Sequence, residues 1–154
     1  MRIFKINILS QNVIKSADAI CFTSNGIIKK DGSLVMGAGV AKAFRNTFVN
    51  IDSVAGELVE KNGNICQIVY RLANLSIVAF PTKHHWRNPS DIELIKKSAD
   101  ELITLANKNN WKQIYLPAPG VNNGGLSWDN DVKPLLIKKL DDRFIITFLP
   151  KGPT

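Results

Sequence analysis

Cysteine is scarce in this chain of 154 residues: there are two, Cys21 and Cys66, each inside an apolar, strand-like run. Such settings suit buried free thiols, so neither a disulfide framework nor redox chemistry is expected. Long apolar runs are also missing. Nothing approaches the roughly 20 residues of a spanning helix, and the opening MRIFKINIL has no signal-peptide core. A cytoplasmic location without membrane contact is expected. Acidic residues are in deficit, 13 against 20 Lys and Arg, for a net charge of +7. That field favours a polyanion or an anionic ligand, although a solvated lysine surface gives the same count. No Gly-Lys-Ser/Thr closes a correctly spaced glycine run, and Gly37-Ala38-Gly39 lacks the third glycine of a dinucleotide fingerprint. P-loop and dehydrogenase readings therefore fall. His84 and His85 are adjacent and point apart on an extended chain, with no Cys, His or Asp at ligand spacing. Neither a metal nor a cofactor is expected.

What is present is an alternation of strand and helix signals over one expected domain, 1–154. Met1 to Leu9 reads as an early strand and Ala17 to Phe22 as a buried one. Thr23 to Gly39 is too glycine-rich for a regular element. Helical spacing then carries Val40, Ala41, Phe44 and Phe48 on one face, followed by a short helix from Ile51 to Glu60. Ile65 to Tyr70 and Ser76 to Phe80 read as a hairpin about Ala73-Asn74. Ser90 and Glu93 suggest a capping box opening a helix that reaches Ala106. Gln113 to Leu116 is a strand, Ser127 N-caps a helix running to Leu140, and Phe144 to Leu149 is the closing strand. The pattern predicts an α/β three-layer α/β/α sandwich with a mixed central sheet, its crevice beyond the carboxyl ends of central strands.

Two loops run from strand to helix and suit phosphate binding, because backbone N–H groups and a helix N-terminus face an anion there. One is Val35-Met36-Gly37-Ala38-Gly39-Val40; the other is Pro119-Gly120-Val121-Asn122-Asn123-Gly124-Gly125. Either alone is also an ordinary turn, whereas a pair suits a diphosphate. A third segment, Phe80-Pro81-Thr82-Lys83-His84-His85-Trp86-Arg87, sets a lysine just past a strand end. Pro81 stiffens the approach, and Trp86 is placed to cover the lysine stem. Trp111 and Trp128 read as packing residues.

Phe22-Thr23-Ser24-Asn25, the Val35 to Ala41 loop, Phe80-Pro81-Thr82-Lys83, and Leu116-Pro117-Ala118-Pro119-Gly120 through Gly124-Gly125-Leu126-Ser127-Trp128 resemble, in that order, the signature of macrodomains. The likeness covers nearly the whole chain. It is strongest to the branch of DNA ADP-ribosyl glycohydrolase antitoxins and terminal ADP-ribose protein glycohydrolases. The resemblance implies an ADP-ribose site. In it Asn25 bonds the distal ribose, Gly37 to Val40 cradles one phosphate, and Gly120 to Gly125 wraps the other phosphate and ribose. Val35, Met36, Thr82 and Pro119 border the ligand, Ile8 meets adenine through its backbone, and Lys83 is the catalytic lysine. The chain departs from the pattern at several places. Asn7 stands where many macrodomains carry an adenine-binding Asp, and Asn122 replaces a usual glycine. Gly124 occupies the place of an acidic catalytic partner in protein-directed relatives. The segment from Asn25 to Met36, with Lys29, Lys30 and Asp31, is longer than in the antitoxins.

The resemblance thus implies a glycohydrolase that takes ADP-ribose from nucleic acid, most concretely from a DNA base. Two other readings share the pocket: a module that binds ADP-ribose or a related nucleotide unchanged, and a hydrolase of protein ADP-ribosyl esters or ADP-ribose 1″-phosphate. Fold alone does not choose among them.

Overall fold

The structure, a computed structural model, describes residues 1–150. In chain order the elements are β1 (Arg2–Lys5), α1 (Gln11–Ser16), β2 (Ala19–Ser24), α2 (Gly39–Thr47), α3 (Ile51–Asn62), β3 (Gln67–Leu72), β4 (Leu75–Pro81), α4 (Ile92–Asn109) and β5 (Ile114–Pro117). A π-helical turn (Trp128–Val132), α5 (Lys133–Ile137) and β6 (Phe144–Phe148) complete them. The six strands form one sheet in the order β1-β6-β5-β2-β4-β3. All neighbours are parallel except β3 and β4, the expected hairpin. The expected mixed sheet is therefore present.

Alternation along the central strands divides the core into two layers. Ile20 and Phe22 of β2, Ile77 and Ala79 of β4, and Tyr115 of β5 meet Val13, Phe44, Ile51 and Ala55 of α1, α2 and α3. The intervening Cys21, Val78, Phe80, Ile114 and Leu116 meet Ile95, Ala99 and Leu102 of α4 and Leu136 of α5. Near-continuous apolar strands follow, since a parallel sheet covered by helices buries both faces. Tilted rings of Phe22 and Phe44, then Phe44 and Phe48, lie 5.4 and 5.7 Å apart. Such contacts add about 0.5–1.5 kcal/mol each beyond area burial. Cys21 and Cys66 are buried free thiols, and burial raises the pKa of both. Trp111 is buried, and Trp128 packs edge-on against Phe148.

Several expectations need correction. The first strand ends at Lys5, and residues 11–16 form a short helix instead of a connection. Six polar-rich residues with one buried side chain, Val13, are too brief to show helical periodicity. The α4 cap is Asp91, whose side chain accepts from the Glu93 N–H, so Ser90 and Glu93 do not form a capping box. Ser127 does cap, accepting from Asn130, but the turn it opens is π-helical before the short α5. The single helix to Leu140 that the sequence predicts is thus a π turn followed by a helix that ends at Ile137.

Candidate functional site

Register builds the site. Ser24 lies opposite Pro81 in the β2–β4 pair, so Asn25 and the Thr82-Lys83 step leave adjacent strands side by side. Thr82 and Lys83 both donate to the Ser24 carbonyl, at 3.0 and 3.3 Å. β5 pairs with the other side of β2 and ends at Pro117. At these three carboxyl ends opens a cavity of about 520 Å³, within the range of small-molecule sites. Its walls are Asn25, the stretch from Val35 to Ala41, Thr82, Lys83, Trp86, Ser90 and the stretch from Gly120 to Gly124.

The first glycine loop enters α2 with an unusual cap. Ala38 is the N-cap and supplies no side-chain hydrogen bond. Since Lys42 is the first residue to donate back, to Ala38 at 3.2 Å, the N–H groups of Gly39, Val40 and Ala41 have no helical acceptor. They lie beside the cavity, where the helix dipole adds positive potential. Gly39 has a φ of +58°, a backbone setting that suits glycine, and a methyl there would come within 3.5 Å of Asn123 Nδ2. The two loops therefore close toward each other. In the second loop, none of the N–H groups from Val121 to Gly124 has a protein acceptor among the described residues. Both loops can thus hold oxyanions through main-chain donors.

Lys83 lies against the second loop and shares the cavity wall with the first. Its Nζ donates to the Asn123 carbonyl at 3.0 Å and approaches the Trp86 carbonyl at 3.5 Å. Among the described residues it pairs with no carboxylate. Trp86 meets Lys83 through its carbonyl; its ring neighbours are His85, at 5.3 Å, and the Arg87 guanidinium, at 4.8 Å. His84 reaches Asp91, with Nε2 and Oδ2 2.8 Å apart. That hydrogen bond is the first cause holding the Asp91 carboxyl below its ordinary range.

Among the other expected residues, Asn25 lines the cavity, but its amide also ties the loop together. Nδ2 donates to the Val35 carbonyl at 3.1 Å, and Oδ1 accepts from the Ile27 N–H at 3.0 Å. Ile8 is buried in the core beside α1 and lies outside the cavity wall, as do Pro119 and Gly125. Asn7 turns inward on its own segment, where its Oδ1 accepts from the Leu9 N–H. Lys29 and Lys30 line a separate depression against α3, with Glu57 and Glu60.

Three supporting residues escaped the sequence reading. Asn64 Nδ2 donates to the Lys83 carbonyl at 3.0 Å. The fully buried Ser98 hydroxyl donates to the Pro81 carbonyl at 2.7 Å. Ser90, read as a cap, faces the cavity instead. Isolated polar residues in helices and turns carry no local pattern that announces such contacts.

Comparison with known proteins agrees with this geometry. The Macro domain family profile matches residues 30–134. A DNA ADP-ribosyl glycohydrolase of Mycobacterium tuberculosis is 32% identical over 128 residues, covering 77% of this chain and 36% of that relative. The chain thus spans about a third of the length of the curated relatives it matches. The macrodomain of Thermus aquaticus DarG superposes with a TM-score of 0.79 at 27% identity, covering 97% of both chains. The macrodomain of Mycobacterium tuberculosis DarG gives 0.72 at 27% identity, covering 88% of this chain and 90% of that one. A six-stranded sheet carrying two glycine loops at its carboxyl edge, together with these likenesses, means that the chain belongs to the Macro domain family.

Proposed function

We propose that this chain binds ADP-ribose in the cavity at the carboxyl ends of β2, β4 and β5 and hydrolyses it from nucleic acid, most concretely from a DNA base. The observation that carries the reading is the position of Lys83 Nζ, 3.0 Å from the carbonyl of Asn123 at one end of the paired glycine loops. A diphosphate seated on the α2 N-terminus and on the Val121 to Gly124 amides leaves the distal ribose at that end. Lys83 is then the side chain nearest the scissile bond, with Asn25 beside it on the neighbouring strand end. The similarity to DNA ADP-ribosyl glycohydrolases supports nucleic acid as the acceptor.

Hydrolysis breaks the bond from the distal-ribose C1″ to a base nitrogen; water supplies the hydroxyl to C1″ and a proton to the base. A nitrogen-linked base departs with less help from a protein acid than an alkoxide needs. That fits a lysine without a carboxylate partner and a glycine, Gly124, where an acidic residue would assist an ester. Lys83 acts on the distal ribose in one of two ways. As a free amine it attacks the opened sugar, which predicts a rate that rises with pH and a covalent adduct on reductive trapping. As an ammonium it stabilises charge on the departing group and predicts neither.

The test is incubation with ADP-ribosylated DNA, ADP-ribosylated protein and ADP-ribose 1″-phosphate side by side. Release of ADP-ribose from DNA, lost in Lys83→Ala, is the expected result. If the parent binds ADP-ribose but turns over none of the three, a binding module takes the place of the enzyme. Turnover of the phosphate or the protein ester alone would reassign the acceptor.

A further inference from the structure

Trp86 differs from the other apolar residues at the surface. It is 44% exposed, and among the described residues it is the one large apolar side chain that is both exposed and part of the cavity wall. Its carbonyl lies 3.5 Å from Lys83 Nζ, which sets it beside the proposed catalytic group. The turn that carries it is fixed by the main chain. The Asn88 N–H donates to the His85 carbonyl and the Arg87 N–H to His85 Nδ1, both at 3.1 Å. The Gly26 N–H, from the loop after β2, donates to the His84 carbonyl at 3.2 Å. On this frame the His85 ring lies 5.3 Å from the indole, tilted by 33°, and the Arg87 guanidinium lies over the indole at 4.8 Å. Arg87 pairs with no carboxylate among the described residues. Three planar groups, one with a free positive charge, thus gather next to the lysine.

Chemistry on a base requires the base to leave its stack, whether the strand is single or the nucleotide is turned out of a duplex. A base drawn toward Lys83 by the ADP-ribose it carries therefore loses its stacking neighbours, and an aromatic face restores them. Every base has a π-face, so such stacking needs no particular sequence. The main-chain donors of the glycine loops offer no face of this kind and suit phosphates only. A peptide acceptor brings no obligatory planar group. We infer that Trp86, together with Arg87, is the platform on which the acceptor base stacks while Lys83 acts on the ribose joined to it. Arg87 adds a positive charge for a backbone phosphate of the same strand. This inference rests on the proposed function and names the group that recognises the acceptor.

Affinities for an ADP-ribosylated single-stranded oligonucleotide, an ADP-ribosylated peptide and free ADP-ribose test it, measured on Lys83→Ala protein so that the ligands persist. Adding Trp86→Leu, which keeps apolar bulk without an aromatic face, should weaken the oligonucleotide about five- to hundredfold. Affinity for the peptide and for ADP-ribose should stay as it was. Trp86→Phe should keep most of the oligonucleotide affinity, and Trp86→Met replaces the leucine variant if that one fails to fold. The weakening should persist from low to physiological salt, because stacking is not screened as charges are. Equal loss toward all three ligands would put Trp86 in the ADP-ribose pocket itself, and equal loss toward oligonucleotide and peptide would make it an unselective apolar cover. A loss that vanished at physiological salt would assign the effect to the charge of Arg87. Each of these overturns the platform, as does an unchanged oligonucleotide affinity. If the protein with Trp86 intact binds ADP-ribose but holds the oligonucleotide no better than the peptide, the nucleic-acid acceptor fails as well. If it does not bind ADP-ribose at all, the site reading fails with it.

Discussion

A side chain at position 124 has nowhere to go: its Cβ would fall 2.2 Å from Ser90 Oγ and 2.4 Å from the Gly120 carbonyl oxygen. At Gly37 the same construction meets nothing within 4 Å. Two glycines that look alike in sequence therefore have different reasons to be there. Gly124→Ala should destabilise by about 1–3 kcal/mol through overpacking, read as a lower denaturation midpoint without ligand. Gly37→Glu should fold normally yet lose ADP-ribose binding, because it adds bulk and negative charge to the phosphate path. Normal binding by Gly37→Glu would show that the α2 loop does not carry a phosphate. Lys83 makes the opposite demand, for chemistry more than packing. Lys83→Ala should abolish de-ADP-ribosylation while affinity for ADP-ribose stays within a few-fold of the parent, since main-chain donors provide most of the contacts. Lys83→Arg keeps the charge and loses the nucleophile. Appreciable activity there would favour charge stabilisation, and none would favour attack by the amine.

Among the elements, α4 contributes most to placing the site. Its N-cap Asp91 donates its own N–H to the Thr82 carbonyl, and Ser98 two turns further in holds the carbonyl of Pro81. The end of β4, and with it Lys83, is thus tied to the helix. Asp91 also accepts from His84, and its folded-state pKa is depressed, first by that hydrogen bond. A depressed carboxylate adds stability that is present above its unfolded pKa and lost as pH falls through the folded one. Asp91→Asn keeps a capping oxygen but removes the charge. The parent should be more stable than this variant at neutral pH, and the gap should close as pH drops below about 4, followed by denaturant midpoints across pH. A gap that persisted into acid would assign the effect to packing. The helix itself was legible from Ile92, Ile95, Ala99 and Leu102, which repeat on one face. Its cap was misread by one residue, because Ser90 and Asp91 are both good caps and only the path of the chain out of β4 decides between them. α1 and the π turn were not legible, being shorter than the window over which period can be read.

For the whole molecule, net charge acts at longer range than any single contact. With +7 overall, association with a polyanion should weaken steeply with salt, whereas seating of free ADP-ribose on main-chain donors should weaken much less. Turnover of ADP-ribosylated DNA and affinity for ADP-ribose, measured between low and physiological salt, should therefore give different slopes. Parallel slopes would argue against a nucleic-acid acceptor. Lys29 and Lys30 sit beside Glu57 and Glu60 in their own depression, so neutralising them should change the DNA slope less than neutralising Arg87, which lies over Trp86 at the cavity wall. Ligand binding to the folded state alone also raises its stability. Millimolar ADP-ribose should raise the melting temperature of the parent, and an unchanged temperature would remove the site.

Sequence by itself determined the alternation of elements, the buried central strands, the hairpin, and the two loops able to meet an anion, because each rests on local periodicity or on glycine and proline at short spacing. It also singled out Lys83, by its place past a strand that Pro81 ends. Tertiary structure alone decided what those pieces do together. The strand order sets β2 between β4 and β5, so that Asn25, Lys83 and both loops share one edge. Ile8 goes into the core and Lys29 and Lys30 to another face, while Ser90 and Asn64 come to the site from segments with no signature. Local sequence encodes which residues can turn, cap or stack. Which of them meet depends on strand register and helix packing, contacts between residues distant in the chain.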